Sequence, residues 1–163
     1  MNFKGNEMRL MKKCIVLMVL LLFSHIYALP ATAEDIFQKY VKVIWIDQPK
    51  QIGVAYQDGI ELFDFPVMTG DDEYTTAPGV YVVKLKVKDY YSHKYHSPMP
   101  YSIFFDLKGM KAIHEGEVPP PNLKKGLATH GCIHVELPDI ERLYDWTAEE
   151  ETVVVIDGGR TAN

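Results

Sequence analysis

The sequence is poor in cysteine, with only two in 163 residues, Cys14 and Cys132. Cys14 lies in an N-terminal segment that has the features of a cleaved leader, so the mature chain would keep one thiol. A single cysteine cannot form an internal disulfide. In an exported protein, an unpaired cysteine indicates either a reactive thiol or an intermolecular bridge. Cys132 is therefore the first candidate for a functional residue.

Positive charge is also scarce. The chain has 17 Lys and Arg against 22 Asp and Glu, a formal net charge of -5 at pH 7. Binding to a nucleic-acid backbone depends on a basic patch that neutralises phosphates. The composition therefore predicts no nucleic-acid partner. The 47% hydrophobic content is otherwise ordinary for a globular protein.

Long apolar runs are missing as well. The longest, Cys14 to Phe23, has ten residues, whereas a membrane-spanning helix needs about 20. It follows three basic residues at positions 9–13 and precedes a small-x-small site at 31–33. This layout predicts a signal peptide over residues 1–33, with export to the periplasm, the outer face of the cytoplasmic membrane or the cell wall, and no stable membrane span after cleavage. An uncleaved anchor is the alternative, because residues 26–29 extend the apolar stretch.

Helical periodicity is rare in the rest of the chain, and period-two alternation of β-branched residues is common. We therefore predict a mainly β fold with one helix after Cys132. No linker divides residues 34–157, so these form one predicted domain, and 158–163 a tail. Asp58-Gly59 predicts a hairpin turn, and the histidine-bearing segment 90–100 is expected to be irregular. The predicted strands are 41–46, 51–56, 60–67, 80–87, 101–106, 111–114 and 152–156, and the predicted helix is 138–146.

The one remaining thiol lies in the stretch Thr-His-Gly-Cys-Ile-His-Val, residues 129–135. An ordinary thiol, with a pKa of about 8.5, is only a few per cent ionised at neutral pH, and a neighbouring imidazole can take its proton. We predict Cys132 as a nucleophile that attacks an acyl carbon, and His114 as the base that returns the proton to a leaving amine. Gly131 allows a tight turn and close approach of substrate. The N–H groups of Gly131 and Cys132 are expected to hold the oxyanion.

These residues resemble a known signature. Ile113-His114, a spacer and then Thr129 to Ile133 resemble the motif of the L,D-transpeptidase catalytic domain, which has a histidine followed by Ser/Thr-His-Gly-Cys. The resemblance extends over most of residues 40–156. Further segments that resemble the family are Thr75 to Tyr81, Met99 to Tyr101 with Phe104-Phe105, Asp139 to Tyr144, and Val153 to Ile156.

The resemblance implies both a fold, a β-sandwich or pair of mixed sheets, and a function. Cys132 would form a thioester with the donor stem peptide of peptidoglycan, releasing D-alanine, and the acyl group would pass to an amine acceptor. His114 would be the general base, oriented by a backbone carbonyl, with Thr129, His130 and Gly131 shaping the catalytic loop. No metal or organic cofactor is implied. The substrate-binding positions implied by the resemblance are Thr129, His134, Tyr101 and Met99.

Two positions depart from the family pattern. His134 stands where the family usually has Arg or Asn, and Glu115 precedes Gly116 where Gly usually follows the histidine directly. Arg binds a carboxylate in a bidentate manner at any pH, whereas imidazole loses its charge near pH ~6.5. A contact from His134 to a substrate carboxylate is therefore expected to weaken as the pH rises through that range.

Alternative interpretations follow from the same residues. In an extended segment His130, Cys132 and His134 share one face, and with His114 they offer zinc ligands. His93 and His96 offer a second metal pair or a polar loop at the mouth of the site. Tyr90, Tyr91, Tyr95 and Tyr101 either line a peptide groove or pack a loop over the sheet. An L,D-carboxypeptidase, in which water resolves the acyl-enzyme, and a catalytically inactive wall-binding protein are the functional alternatives.

Overall fold

The computed structural model describes residues 33–71, 73–120 and 128–158. The predicted signal peptide, apart from Ala33, and the tail beyond Gly158 lie outside these residues. Within them the chain forms two short helices and nine strands. The elements are α1 (Ala33–Lys39), β1 (Lys42–Asp47), β2 (Ile52–Gln57), β3 (Ile60–Pro66), β4 (Gly79–Val82), β5 (Leu85–Ser92), β6 (Ser97–Asp106), β7 (Lys111–Glu115), β8 (Ile133–Val135), α2 (Asp139–Trp146) and β9 (Thr152–Asp157).

The strands form two mixed sheets. The first has the order β3-β2-β1-β9-β4 and the second the order β5-β6-β7-β8. Each sheet contains one parallel pair, β1 with β9 and β7 with β8, and its other pairs are antiparallel. The predicted mainly β class is therefore confirmed. The β2–β3 hairpin forms as expected, because Asp58 (φ 53°) and Gly59 (φ 74°) both take the left-handed conformation that a tight two-residue turn requires.

The main core lies between the two sheets. Side chains from both sheets are fully or almost fully buried there, among them Ile44 and Ile46 of β1 and Val154 of β9. The second sheet contributes Ile113 of β7 and Ile133 of β8, which are paired in register. Because side chains alternate along a strand, the neighbouring residues of β7 and β8 point to the outer face of this sheet.

Two strand predictions were wrong, and both errors have a tertiary cause. Residues 80–87 do not form one strand, since β4 pairs with β9 in the first sheet and β5 pairs with β6 in the second. The segment 90–100, expected to be irregular, forms the end of a long β5–β6 hairpin that turns at residues 93–96. The polar and aromatic residues of this segment show no strand pattern. They become strands because β5 and β6 pair with each other.

The helix predicted after the cysteine is confirmed as α2, which buries Ile140 and Leu143. Pro138 caps this helix instead of occupying its first turn. A helix that the sequence did not predict, α1, packs Ile36 against the outer face of the first sheet. Neither of the two described helices is long and apolar enough to cross a membrane.

Replacing Ile113 by alanine should destabilise the domain strongly. Ile113 precedes His114 on β7, and its side chain is completely buried in the core between the sheets. Truncating a buried isoleucine costs about 2–5 kcal/mol. Urea unfolding followed by circular dichroism measures the change. Ile60→Ala is the matched control, because Ile60 is 67% exposed and should change stability by less than about 0.5 kcal/mol. Equal effects of the two substitutions would contradict the position of the core.

Candidate active site

A cavity of about 270 Å³ opens on the outer face of the second sheet. It is bounded by the β5–β6 hairpin, by β7 and β8, and by the loop that leads into β8. Both residues predicted to carry the chemistry reach it. The cavity is lined by Ser92, Tyr95, Ser97, Met99, His114, His130, Cys132 and His134.

Cys132 stands directly before β8 and is a free thiol. It packs on the outer face of the sheet, against a small apolar cluster that contains Met99 and Phe104. Its Sγ lies 3.9 Å from the carbonyl oxygen of Met110. Burial raises the pKa of the Cys132 thiol, and the N–H of Ala112 and the charge of Lys111 offset part of this effect. The thiol is therefore mainly protonated at neutral pH.

His114 is buried, and its ring is held by the backbone. Nδ1 lies 2.7 Å from the carbonyl oxygen of Glu115. A carbonyl can only accept a hydrogen bond, so Nδ1 carries the proton and Nε2 is left as the basic nitrogen. Burial lowers the pKa of His114 to about 4, with a further contribution from His134. The imidazole is thus neutral at pH 7, in the state that can accept a proton.

His134 lies beside His114 because the two residues are register partners in the parallel β7–β8 pair. Their ring centroids are 4.7 Å apart. Its Nδ1 is buried and has no hydrogen-bond partner in the described part of the chain. Burial lowers the pKa of His134, and the proximity of His130 adds to this shift, while the backbone and the carboxylate of Glu117 oppose it. The sequence alone predicts that His134 loses its charge near the ordinary pKa of an imidazole, ~6.5. The lowered pKa moves this loss of charge to lower pH, so His134 is mainly neutral at pH 7.

Hydroxyl groups hold the loop before Cys132 in place. The Thr129 hydroxyl donates to the carbonyl of Cys132 at 2.5 Å and accepts from the N–H of Gly131 at 3.1 Å. The Thr76 hydroxyl accepts from the N–H of Gly70 and donates to the carbonyl of Gly131. Thr129 therefore shapes the loop and does not line the cavity. The Gly131 N–H, expected to hold the oxyanion, is already engaged by Thr129.

Gly131 is required at its position for two reasons. Its φ of +93° lies in the left-handed region that side chains disfavour. A Cβ there would also collide with the Lys111 ammonium and lie 2.9 Å from the carbonyl of Thr75. The sequence predicted close approach by a substrate, but the chain itself occupies this space.

His130 is exposed and lies between two aromatic rings. Tyr95 stacks on it with centroids 5.0 Å apart, and Tyr74 meets it edge-on at 4.7 Å. Its carbonyl accepts a hydrogen bond from Lys111 Nζ at 2.6 Å. These contacts connect the catalytic loop to the tip of the β5–β6 hairpin. The loop-shaping role of His130 stays a prediction.

The two substrate-binding positions expected on β6 separate in the structure. Met99 is buried and lines the cavity. Tyr101, with a φ of 54°, turns away from it. Its ring packs against Tyr144, with centroids 5.6 Å apart, and its hydroxyl donates to Glu141 Oε1 at 3.0 Å. The structure therefore brings Met99 to the site but places Tyr101 against α2.

Sequence reasoning missed several residues of the site. Ser92 and Ser97 line the cavity from opposite ends of the hairpin turn, where they are register partners. No sequence signal marked them, because the pairing of β5 with β6 was not predicted. Tyr95 was one of four candidate tyrosines, and it lines the cavity, while Tyr90 packs edge-on against Phe104.

The prediction of a zinc site required residues 130–134 to be extended, so that His130, Cys132 and His134 share one face. The segment is not extended throughout. The left-handed Gly131 turns the chain before Cys132, so strict alternation of side chains does not apply. In residues 33–71, 73–120 and 128–158, no group of three or more His, Cys, Asp or Glu side chains is arranged to hold a metal ion. His93 and His96 lie at the exposed hairpin turn.

The fold and the site define a class of protein: a two-sheet β domain with a thiol and a backbone-anchored imidazole at one cavity. The model of the L,D-transpeptidase catalytic domain matches residues 41–156. The chain therefore belongs to the L,D-transpeptidase catalytic-domain family. A comparison with curated protein sequences gave no significant match.

Solved structures of L,D-transpeptidases have a similar fold. The fold is similar to that of an L,D-transpeptidase from Stackebrandtia nassauensis, with a TM-score of 0.68 and 22% identity over 86% of this chain and 63% of that one. An L,D-transpeptidase from Xylanimonas cellulosilytica aligns with a TM-score of 0.61 and 26% identity, over 72% of this chain and 61% of that one. L,D-transpeptidase 3 from Mycobacterium tuberculosis, in complex with a faropenem-derived adduct, aligns with a TM-score of 0.59 and 20% identity, over 72% and 59%. This chain spans less than two thirds of each of the three.

The pKa of His114 predicts how stability depends on pH. Between pH 6.5 and about 4 the unfolded chain binds a proton at this imidazole and the folded chain does not, so lowering the pH favours unfolding. The stability that the neutral His114 contributes is fully present above pH 6.5 and is lost progressively as the pH falls toward 4. From pH 7 to pH 5 the loss due to His114 should be roughly 2 kcal/mol.

Urea unfolding of wild type and His114→Gln at pH 7 and pH 5 measures this loss. Glutamine can still donate to the Glu115 carbonyl but does not titrate, so the variant should lose less stability than wild type. His93→Gln serves as the control, because His93 is exposed and its replacement should leave the dependence unchanged. The same loss in wild type and His114→Gln would contradict the assignment.

Proposed function

We propose that the protein is an exported L,D-transpeptidase acting on the tetrapeptide stem of peptidoglycan. It cleaves the bond between the L centre of the third residue and the terminal D-alanine, and transfers the acyl group to an amine. The observation that carries the proposal is the presence of Cys132 and His114 at one cavity, with His114 Nδ1 bonded to a carbonyl. Membership of the family supports the substrate class.

In the acylation step, Cys132 Sγ attacks the carbonyl carbon of the donor while His114 Nε2 takes the thiol proton. The tetrahedral intermediate then collapses, the C–N bond breaks, and His114 returns the proton to the departing amine of D-alanine. The product is a thioester on Cys132. An acceptor amine reverses these roles, giving its proton to His114 and releasing the sulfur as a thiol.

The pKa shifts indicate the order of events. The raised pKa of Cys132 and the lowered pKa of His114 both favour a neutral thiol–imidazole pair over a preformed ion pair. Proton transfer therefore accompanies attack on the substrate. Because the Gly131 N–H donates to Thr129, we assign the oxyanion contact to the N–H of Cys132.

Met99 and His134 are the proposed substrate contacts, since both line the cavity beside Cys132. Neutral His134 offers a hydrogen-bonding nitrogen instead of the fixed positive charge of Arg. We assign Thr129, Gly131 and His130 to the geometry of the catalytic loop. Export follows from the predicted signal peptide at residues 1–33, which delivers the enzyme to the cell wall.

A β-lactam of the carbapenem or penem class should add covalently to Cys132. L,D-transpeptidase 3 from M. tuberculosis, whose fold is similar, is found in complex with a faropenem-derived adduct. Opening of the lactam ring by Sγ gives a thioester and a mass increase equal to the drug. Intact-mass spectrometry with peptide mapping should find the adduct on wild type and none on Cys132→Ala. Adduct on both proteins, or on neither, would contradict the role of Cys132.

Incubation with a disaccharide-tetrapeptide tests the reaction itself. We expect a cross-linked dimer and free D-alanine, resolved by liquid chromatography and mass spectrometry. Cys132→Ala, checked for an unchanged circular dichroism spectrum, is the inactive control. A tripeptide product alone would replace the proposal by an L,D-carboxypeptidase. Unchanged substrate with a folded wild-type protein would favour a non-catalytic wall-binding protein.

A further inference from the structure

A lysine lies directly behind the catalytic loop. Lys111 is the first residue of β7 and is half-buried. Its Nζ donates to the carbonyl of His130 at 2.6 Å, and the absence of a Cβ at Gly131 leaves room for the same ammonium. The positive charge is thus held against the two residues that precede Cys132. The three residues that follow Lys111 on β7 are buried. They anchor the strand and so hold the lysine in place.

The other residues that line the cavity with Cys132 carry no fixed charge. The eight residues lining the cavity include no carboxylate, Lys or Arg. On β7 and β8, His114 and His134 have lowered pKa values and are mainly neutral at pH 7. The β6–β7 turn presents the carbonyl of Met110, while Tyr95 of the hairpin stacks on His130. None of these groups carries a fixed positive charge.

We propose that Lys111 is a positioning residue that stabilises the Cys132 thiolate through its charge and holds the catalytic loop through the His130 carbonyl. A cation beside a partly desolvated thiol favours the thiolate, because the interaction is less screened than in water. The charge of Lys111 and the N–H of Ala112 both lower the pKa of Cys132, against the larger effect of burial. The start of β7 therefore supplies two groups that favour the anion.

This role is distinct from that of His114. The histidine accepts the proton, whereas Lys111 determines how readily the sulfur releases it. The proposal rests on the proposed nucleophilic function of Cys132. Thiol ionisation can nevertheless be measured without turnover, so the two can fail separately.

The pH dependence of iodoacetamide alkylation tests the proposal, with peptide mass spectrometry used to follow Cys132 apart from Cys14. Lys111→Met removes the charge and keeps an unbranched side chain. We expect the apparent pKa of alkylation to rise by roughly one unit, which makes alkylation on the order of tenfold slower at pH values below that pKa. Lys111→Gln, a neutral donor, should behave in the same way. Lys111→Arg should restore most of the wild-type profile.

Lys108→Met is the matched control, because Lys108 is an exposed residue of the same β6–β7 turn, and its profile should equal that of wild type. An unchanged profile for Lys111→Met and Lys111→Gln would overturn the proposal. Failure of Lys111→Arg to rescue a folded protein would overturn the assignment to charge. If the profile shifts as expected but stem peptides are not turned over, the role of Lys111 stands and the proposed transpeptidase function fails.

Discussion

The parallel pairing of β7 with β8 is the constraint on which the site depends. It places His114 beside His134 in register, and it buries Ile113 and Ile133 in register beneath them. Alternation along both strands sends the aliphatic side chains into the core and the imidazoles to the outer face. Cys132 stands one residue before β8, so the same pairing brings the thiol to the cavity that His114 also lines. Core packing and site assembly are thus two consequences of one register.

The loop before β8 fixes the position of the Cys132 thiol. Thr129 and Thr76 bind the backbone of Gly131 from two sides, and Lys111 binds the carbonyl of His130. The space around Gly131 is filled by the chain itself, so a larger residue would displace the loop. These contacts fix the backbone next to Cys132, so the position of the thiol is set by the fold itself.

Burial determines the chemistry of the pair. It raises the pKa of the Cys132 thiol and lowers that of His114 to about 4, because desolvation disfavours the charged form of each. Both groups are therefore mainly uncharged at neutral pH, with a proton on the sulfur of Cys132 and an unprotonated Nε2 on His114. The replacement of the family's usual Arg or Asn by His134 continues this pattern, since the pKa of His134 is also lowered. None of the residues that line the cavity carries a fixed charge. The nearby positive charge is that of Lys111, which lies behind the loop and contacts the His130 carbonyl.

The sequence by itself determined the mainly β class, the β2–β3 hairpin, the helix after the cysteine, and the identity of Cys132 and His114 as the candidates for catalysis. These features depend on local periodicity, turn chemistry and a short motif, all of which can be read along the chain. Only the tertiary structure decided which strands pair across sheets, and therefore that Ser92, Ser97 and Tyr95 line the cavity while Tyr101 turns toward α2. It also decided that the N–H of Gly131 is engaged by Thr129 and that Lys111 contacts the catalytic loop. Cross-strand register and burial depend on residues distant in sequence, and no local pattern encodes them.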